Sequence, residues 1–360
     1  MREALPPGST IGILGGGQLG RMLAVAASRL GLKTHIYSDE PGCPAFDVCA
    51  ARTVAGYDDE EALLRFAGAV DVVTCEFENV PAKALETAGR EASVYPPARA
   101  FAVAQDRLEE KEFLRRLGIP VAPFAAVGSR DELDIALKGI GFPALLKTRR
   151  FGYDGKGQVV IRSEKDADAA LAAIGNVPAI LEGMLLFERE ISIIAVRGRD
   201  GAMRYYDPSE NVHQDGILAV SKVPAPSGAA CTYAAREIAA KIAGALDYVG
   251  ILCVELFQQG DGEPSLVVNE IAPRVHNSGH WTLDACAVSQ FENHIRAIAG
   301  WPLGDPARHS DAVMTNLIGA EANRWPEFAA APDTCLHLYG KAEARPGRKM
   351  GHLTRLHPKT

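Results

Sequence analysis

Lys147 closes the apolar run Pro143-Ala-Leu-Leu-Lys-Thr148, and Arg149-Arg-Phe-Gly-Tyr-Asp-Gly-Lys-Gly157 follows at once. A loop that carries Gly152, Gly155 and Gly157 beside Arg149, Arg150 and Lys156 can fold over a polyphosphate and donate to its oxygens. Without such a ligand the same segment is a solvated basic hairpin. Glu255 and Glu270 lie in two further apolar runs, Cys253-Val-Glu-Leu-Phe257 and Leu266-Val-Val-Asn-Glu-Ile271, on either side of the turn at Gly260-Asp-Gly262. A hairpin centred between Gly262 and Glu263 sets these carboxylates opposite each other. Opposed like charges destabilise a ladder unless a cation separates them, and Mg²⁺ shared with substrate phosphates is the natural occupant. A shifted register would make them two surface glutamates. Glu182-Gly-Met-Leu185 ends a third run, where a carboxylate beside main-chain amides suits a ribose and an adenine edge, or is an ordinary strand end.

Gly15-Gly-Gly17-Gln-Leu-Gly20 fits G-x-G-x-x-G between a strand and a helix, and Asp39 stands where a ribose-binding acid would. Its physical content is narrower: a glycine turn lets an anion approach backbone N–H groups at a helix N-terminus. A dinucleotide, another anionic ligand and a purely structural turn all remain open on this segment alone.

The elements that must position these groups change character along the chain. Strands at Thr10–Leu14, Thr34–Tyr37 and Asp71–Cys75, with helices at Gln18–Leu30 and Glu60–Ala67, alternate as βαβ units and imply a parallel sheet. One long helical stretch is expected at Ala98–Leu117. Strands at 143–148, 158–162, 179–183 and 190–197 and a strand-rich 190–275 then read as an α+β body, and the proline-punctuated last sixty residues as a small irregular appendage. The expected domains are 1–105, 106–300 with a lid at about 111–182, and 301–360.

The 360 residues carry 38 Lys and Arg against 45 Asp and Glu, a net charge of −7 that argues against a nucleic-acid surface. Seven cysteines without a C-x-x-C pair point to a reduced, cytoplasmic protein rather than to a disulfide framework or a zinc site. An apolar leader and a membrane-length apolar run are both missing, so no membrane partner is expected. His280, His294, His309, His337, His352 and His357 are scattered and read as surface or packing residues.

The order and spacing of Lys111, Lys147, the 152–158 loop, Glu182, Glu190, Glu255 and Asn269-Glu270 resemble the ATP-grasp superfamily. Four strings are similar to the 5-(carboxyamino)imidazole ribonucleotide synthetases of purine biosynthesis: Gly16-Gly-Gln-Leu-Gly-Arg-Met22, Gly152-Tyr-Asp-Gly-Lys-Gly-Gln158, Asn269-Glu-Ile-Ala-Pro-Arg-Val-His-Asn-Ser-Gly-His-Trp281 and Arg345-Pro-Gly-Arg-Lys-Met-Gly-His352. The resemblance implies a parallel-sheet domain ahead of a two-subdomain body that holds the nucleotide. It implies MgATP-driven formation of carboxyphosphate from bicarbonate and capture of its CO₂ by the amine of aminoimidazole ribonucleotide. It assigns Arg107, Lys111, Lys147, Gly152, Tyr153, Asp154, Gly155, Lys156, Gly157, Gln158, Glu182, Gly183, Met184, Leu185, Glu190, His213, Asn269 and Glu270 to ATP. Glu255 and Glu270 fall to the metal, and Gln18, Leu19, Glu78 or Glu76, Tyr153, Asp154, Lys341 and Arg348 to the ribonucleotide. Arg274, His276 and Asn277, with Tyr153 and Asp154, are the expected catalytic residues. A homodimer and a mutase that takes over the labile product are further implications. Competing readings are a formate-dependent glycinamide ribonucleotide transformylase or a biotin carboxylase on the same scaffold, an NAD-dependent dehydrogenase, and a catalytically dead homologue.

Overall fold

The computed structural model describes residues 3–152, 155–260 and 265–360, and among them the strands form three sheets. The first contains β1 (Thr10–Leu14), β2 (Lys33–Ser38), β3 (Ala51–Val54) and β4 (Val72–Cys75), in the order β3-β2-β1-β4 with every pair parallel. Helices α1 (Gln18–Arg29) and α2 (Glu60–Gly68) make the crossovers, and α3 (Ala82–Ala88) follows β4. β3 and α3 escape the sequence reading because both are short, and β3 is a largely exposed edge strand without an apolar run.

The expected single helix over 98–117 is two, α4 (Ala98–Ala104) and α5 (Arg107–Arg116). Asp106 breaks it: its carboxylate accepts from the Leu108 and Glu109 N–H groups, an N-cap that starts a new helix. β5 (Phe124–Val127), β6 (Ala144–Thr148), β7 (Gln158–Ile161) and β8 (Ala179–Gly183) form an antiparallel sheet in the order β5-β8-β6-β7. With α6 (Arg130–Ile140) and α7 (Ala167–Ala173) it encloses a core of its own, including Val127, Leu133, Leu137, Leu146, Ile161 and Leu181.

The third sheet contains β9 (Arg189–Arg197), β10 (Met203–Tyr205), β11 (Ser209–Gln214), β12 (Ile217–Val223), β13 (Gly250–Gln259), β14 (Ser265–Ala272), β15 (Asp311–Ile318), β16 (Thr334–Leu338) and β17 (Lys349–His357). Its order is β14-β13-β9-β11-β12-β15-β17-β16, with β10 paired to β9. The strand-rich reading of 190–275 overlooks α8 (Gly228–Ala245), whose buried face, Cys231, Ala235, Ala239, Ile242 and Ala243, is mostly alanine. Two more helices, α9 (Thr282–Ala285) and α10 (Gln290–Ala299), follow β14.

The last sixty residues are not irregular. β15 pairs with β12 and β17, and β16 with β17, so they continue the body's sheet. Pro302, Pro306, Pro326 and Pro346, which suggested irregularity, all fall between strands. One core runs from the first sheet into the third, through Ile11, Ile13, Leu23, Ile194, Trp281, Phe291 and Met314.

Candidate active site

A cleft of about 970 Å³ opens where the three sheets meet. The ends of β1 and β4, the β6–β7 connection, the β13–β14 ladder and the β16–β17 connection all reach it. Burial of so many charged groups along one surface is the electrostatic mark of a site rather than of a packing defect.

Glu255 and Glu270 are opposite each other in the β13–β14 ladder, but the ladder slips beside them: Leu256 faces Val268, so Asn269 is an extra residue on β14. Burial, then Glu270, pushes the Glu255 carboxyl up to about 8. His276 lies 3.1 Å from Glu255 through Nε2. The Ser278 N–H donates to Nδ1 of His276, which leaves Nε2 as the donor to Glu255. Burial holds this imidazole well below its ordinary range, so it is neutral. His213 Nδ1 is 2.7 Å from Glu190; burial opposes protonation there, yet Glu190 outweighs it and raises the imidazole. The two opposed carboxylates are an all-oxygen donor pair, which fits a hard divalent cation.

Lys147 Nζ donates to Glu182 Oε2 at 3.1 Å, and Lys111 lies 3.6 Å from the same oxygen. Burial raises the Glu182 carboxyl, but the two ammonium groups win and hold it below its usual value. Its other oxygen, Oε1, is buried without a hydrogen-bond partner. Arg107 donates from Nη1 to Thr148 O at 2.8 Å and from Nη2 to Gly152 O at 3.1 Å, so α5 grips the start of the β6–β7 connection. Asp106 strengthens the grip by pairing with both Arg149 and Arg150.

Glu76 sits on the glycine turn: the Gly17 N–H donates to its Oε1 at 2.6 Å. At Gly15, φ is +106° and a Cβ would come within 2.7 Å of Glu76 Cγ, so glycine is required twice over. Glu76 thus occupies the N–H groups a dinucleotide pyrophosphate would need, which removes the dehydrogenase reading. Glu78 instead pairs with Arg274. Lys341 donates to Lys349 O at 2.7 Å and Arg348 to Glu343 O at 3.2 Å, and both side chains line the cleft.

Most expected residues gather here. Gln18, Leu19, Glu76, Glu78, Arg107, Lys147, Gly152, Gly155, Lys156, Gln158, Glu190, His213, Glu255, Asn269, Glu270, Arg274, His276, Asn277, Lys341 and Arg348 all line the cleft. Lys111, Gly157, Glu182, Gly183, Met184 and Leu185 do not: Lys111 and Glu182 are buried behind Lys147, and Met184 is exposed at the end of β8. Tyr153 and Asp154 lie outside the described residues. The sequence reading missed Glu110 and Lys349, which also line the cleft. Glu110 was detectable as a carboxylate on the buried face of an amphipathic helix, three residues before Phe113. Asn316 was not: only the fold brings it to Asn277, where each amide donates to the other at 2.9 and 2.7 Å.

A second polar group lies apart, with ligand atoms of Asp284, His337 and His352 within 4.8 Å of one another. The His337 and His352 rings are stacked within 12° of parallel, so their lone pairs do not converge on one ion. His280, His294 and His352 are packing residues, each at most 1% exposed.

Residues 9–105 match the ribonucleotide synthetase preATP-grasp domain, 112–291 the ATP-grasp domain, and 312–360 the phosphoribosylaminoimidazole carboxylase C-terminal domain. The N5-carboxyaminoimidazole ribonucleotide synthase of Brucella melitensis is 54% identical, over 100% of this chain and 99% of its own. A Staphylococcus aureus N5-carboxyaminoimidazole synthetase complexed with ADP has a TM-score of 0.93 at 39% identity, covering 98% of this chain and 94% of that one. An Aspergillus clavatus synthase in complex with ADP and 5-aminoimidazole ribonucleotide reaches 0.91 at 33%, covering 98% and 95%. With three domain matches in chain order and identity sustained from end to end, this chain belongs to the N5-carboxyaminoimidazole ribonucleotide synthases, ATP-dependent ligases of the ATP-grasp superfamily.

Proposed function

We propose that the protein carboxylates the exocyclic amine of 5-aminoimidazole ribonucleotide, with ATP and bicarbonate as co-substrates, in purine biosynthesis. The observation that carries this reading is the continuity of one cleft from Lys147 and the opposed acids to the glycine turn, Lys341 and Arg348. Lys147, Arg107 and Lys156 are the cations for the nucleotide phosphates, and Glu190 and His213 complete the nucleotide side. Glu255 and Glu270 would hold Mg²⁺, which supplies charge neutralisation at the phosphates. Arg274, its guanidinium held by Glu78 and Val275 O, would bring a fixed positive charge to bicarbonate and to the phosphate oxygens as bicarbonate attacks the γ-phosphate and ADP leaves. His276, neutral and with Nε2–H on Glu255, orients this acid.

The acyl phosphate expected from that attack is short-lived in water, so the site must close. The β5–β8 body, with a core of its own, is suited to move as a unit over the nucleotide. The acyl phosphate then breaks into CO₂ and phosphate. The amine of the ribonucleotide adds to the CO₂ and gives up a proton to that phosphate to form the carbamate, while Lys341 and Arg348 hold the 5′-phosphate and Glu76 keeps the glycine turn rigid. Asn277, held by Asn316, faces the same space. A homodimer and delivery of the labile carbamate to a mutase complete the proposal. All seven cysteines are unpaired and no described helix is long and apolar enough to cross a membrane, which supports a cytoplasmic enzyme.

The test is phosphate release from ATP with bicarbonate, with and without 5-aminoimidazole ribonucleotide. Release that requires the ribonucleotide and yields the carbamate supports the reading. Release with glycinamide ribonucleotide and formate instead would replace it with the transformylase.

A further inference from the structure

The acidic pair depends on the slip in the ladder. Leu256 faces Val268, so without an extra residue Glu255 would face Asn269 and Glu270 would point to the opposite side of the sheet. Inserting Asn269 turns Glu270 onto the face of Glu255, and both Asn269 and Glu270 reach the cleft. Bulges leave backbone groups without ladder partners and persist only where something else satisfies them.

Here α5 does so. Lys111 Nζ donates to Asn269 O at 2.7 Å and Val268 O at 3.3 Å, the two carbonyls at the slip. Glu110 Oε1 accepts from the Ile271 N–H at 2.6 Å, one residue beyond Glu270. Both side chains are nearly inaccessible, 3% exposed for Glu110 and 2% for Lys111. The three donors of Lys111 face Val268 O, Asn269 O and Glu182, so this ammonium does not present itself to a phosphate.

We propose that Glu110 and Lys111 are positioning residues that hold the Asn269 bulge from behind and thereby set the aim of Glu270 and Asn269. The inference rests on the reading of Glu255 and Glu270 as the metal carboxylates. It moves Lys111 from the nucleotide's ligands to the architecture of the metal site, and gives Glu110 a task.

The experiment measures Mn²⁺ affinity in the presence of ADP by electron paramagnetic resonance of the free ion, beside ADP affinity without metal and a thermal melt. Glu110→Ala and Lys111→Met should each weaken Mn²⁺ by about tenfold or more, the loss of one good contact at about 1.4 kcal/mol per decade. Glu110→Ala should leave metal-free ADP affinity close to wild type. Glu110→Gln keeps the accepting oxygen, so it should restore Mn²⁺ affinity to within about twofold. Glu110→Gln and Lys111→Met preserve volume and remain readable should the alanine variant fail to fold. A folded Glu110→Ala and Lys111→Met with wild-type Mn²⁺ affinity, while Glu270→Gln loses it, would overturn this inference alone. So would a Glu110→Gln as impaired as the alanine. Unchanged Mn²⁺ affinity in Glu270→Gln would overturn the reading of the acidic pair, and this inference with it.

Discussion

Glu255 holds its proton more tightly in the folded chain than an exposed glutamate does, with a value raised from 4.5 to about 8 by burial and by Glu270. Between those two values an unfolded chain has released a proton that the folded one keeps. Stability of the metal-free protein therefore falls as pH rises across that window, and levels off above it. Burial raises Glu110 to about 8 as well, so denaturant titrations in chelator across a pH series should show this slope, and Glu255→Gln should reduce it without abolishing it. At the far end of the cleft, Arg348 offers a fork where Lys341 offers a point charge. Arg348→Ala should raise the KM for the ribonucleotide roughly ten- to a hundredfold, as for a lost charge-assisted bond of about 1.5–3 kcal/mol. Arg348→Lys should recover part of it, and the KM for ATP should barely move; equal rises in both constants would detach Arg348 from the 5′-phosphate. Glu255 and Glu270 were legible because carboxylates are rare in apolar runs. The expected hairpin centre, however, would pair Leu256 with Asn269, and the opposition holds only through the extra residue Asn269. Lys341 and Arg348 were legible only from the family resemblance. The task of Lys111 was not legible: a ladder slip leaves no trace in period-two patterning, and a buried lysine near a nucleotide loop looks like a phosphate ligand.

The helix α5 is an element whose importance exceeds its ten residues. Its N-cap Asp106 starts the helix and pairs with Arg149 and Arg150, while Arg107 holds the carbonyls of Thr148 and Gly152. Burial opposes the charge on Asp106, but Arg149 overcomes it and keeps the carboxyl below its usual value. Asp106→Ala removes the cap, worth about 1 kcal/mol, and also leaves two arginines without their partner. A lower melting temperature and a several-fold higher KM for ATP should follow together. Asp106→Asn retains a capping oxygen and loses the charge, so it should separate the two effects: stability mostly kept, KM still raised. A KM unchanged in both variants would show that the β6–β7 connection is set without α5. The break at Asp106 was readable in principle, since an aspartate three residues before the first of two glutamates marks a helix start. It was obscured because only two residues separate α4 from α5, a gap the helical period bridges.

Across the whole molecule, the first sheet is joined to the body through His294 on α10. Its Nδ1 accepts from the Ile251 N–H at 3.1 Å on β13, and its Nε2 is 2.8 Å from Thr74 Oγ1 on β4. Burial depresses this imidazole from 6.5 to about 3, so the folded protein keeps it neutral while an unfolded chain would protonate it. The stability from this junction is present above pH 6.5 and is lost as pH falls toward 3. Acid titration followed by denaturant midpoints should reveal that loss, and His294→Gln should reduce the slope while lowering the plateau. The parallel opening, the antiparallel body and the motif-bearing loops were legible from alternation, runs and strings. The join between β12 and β15 was not, because long-range antiparallel pairing has no local signature. That join also orders events during synthesis. β12 leaves the ribosome nearly ninety residues ahead of β15, and at roughly 5–20 residues per second its edge stands open for about 5–20 s. An open edge recruits foreign strands. The exposed charge of Lys222 on β12 is the kind of gatekeeper that keeps nascent copies on a polysome from zipping together before their own β15 arrives.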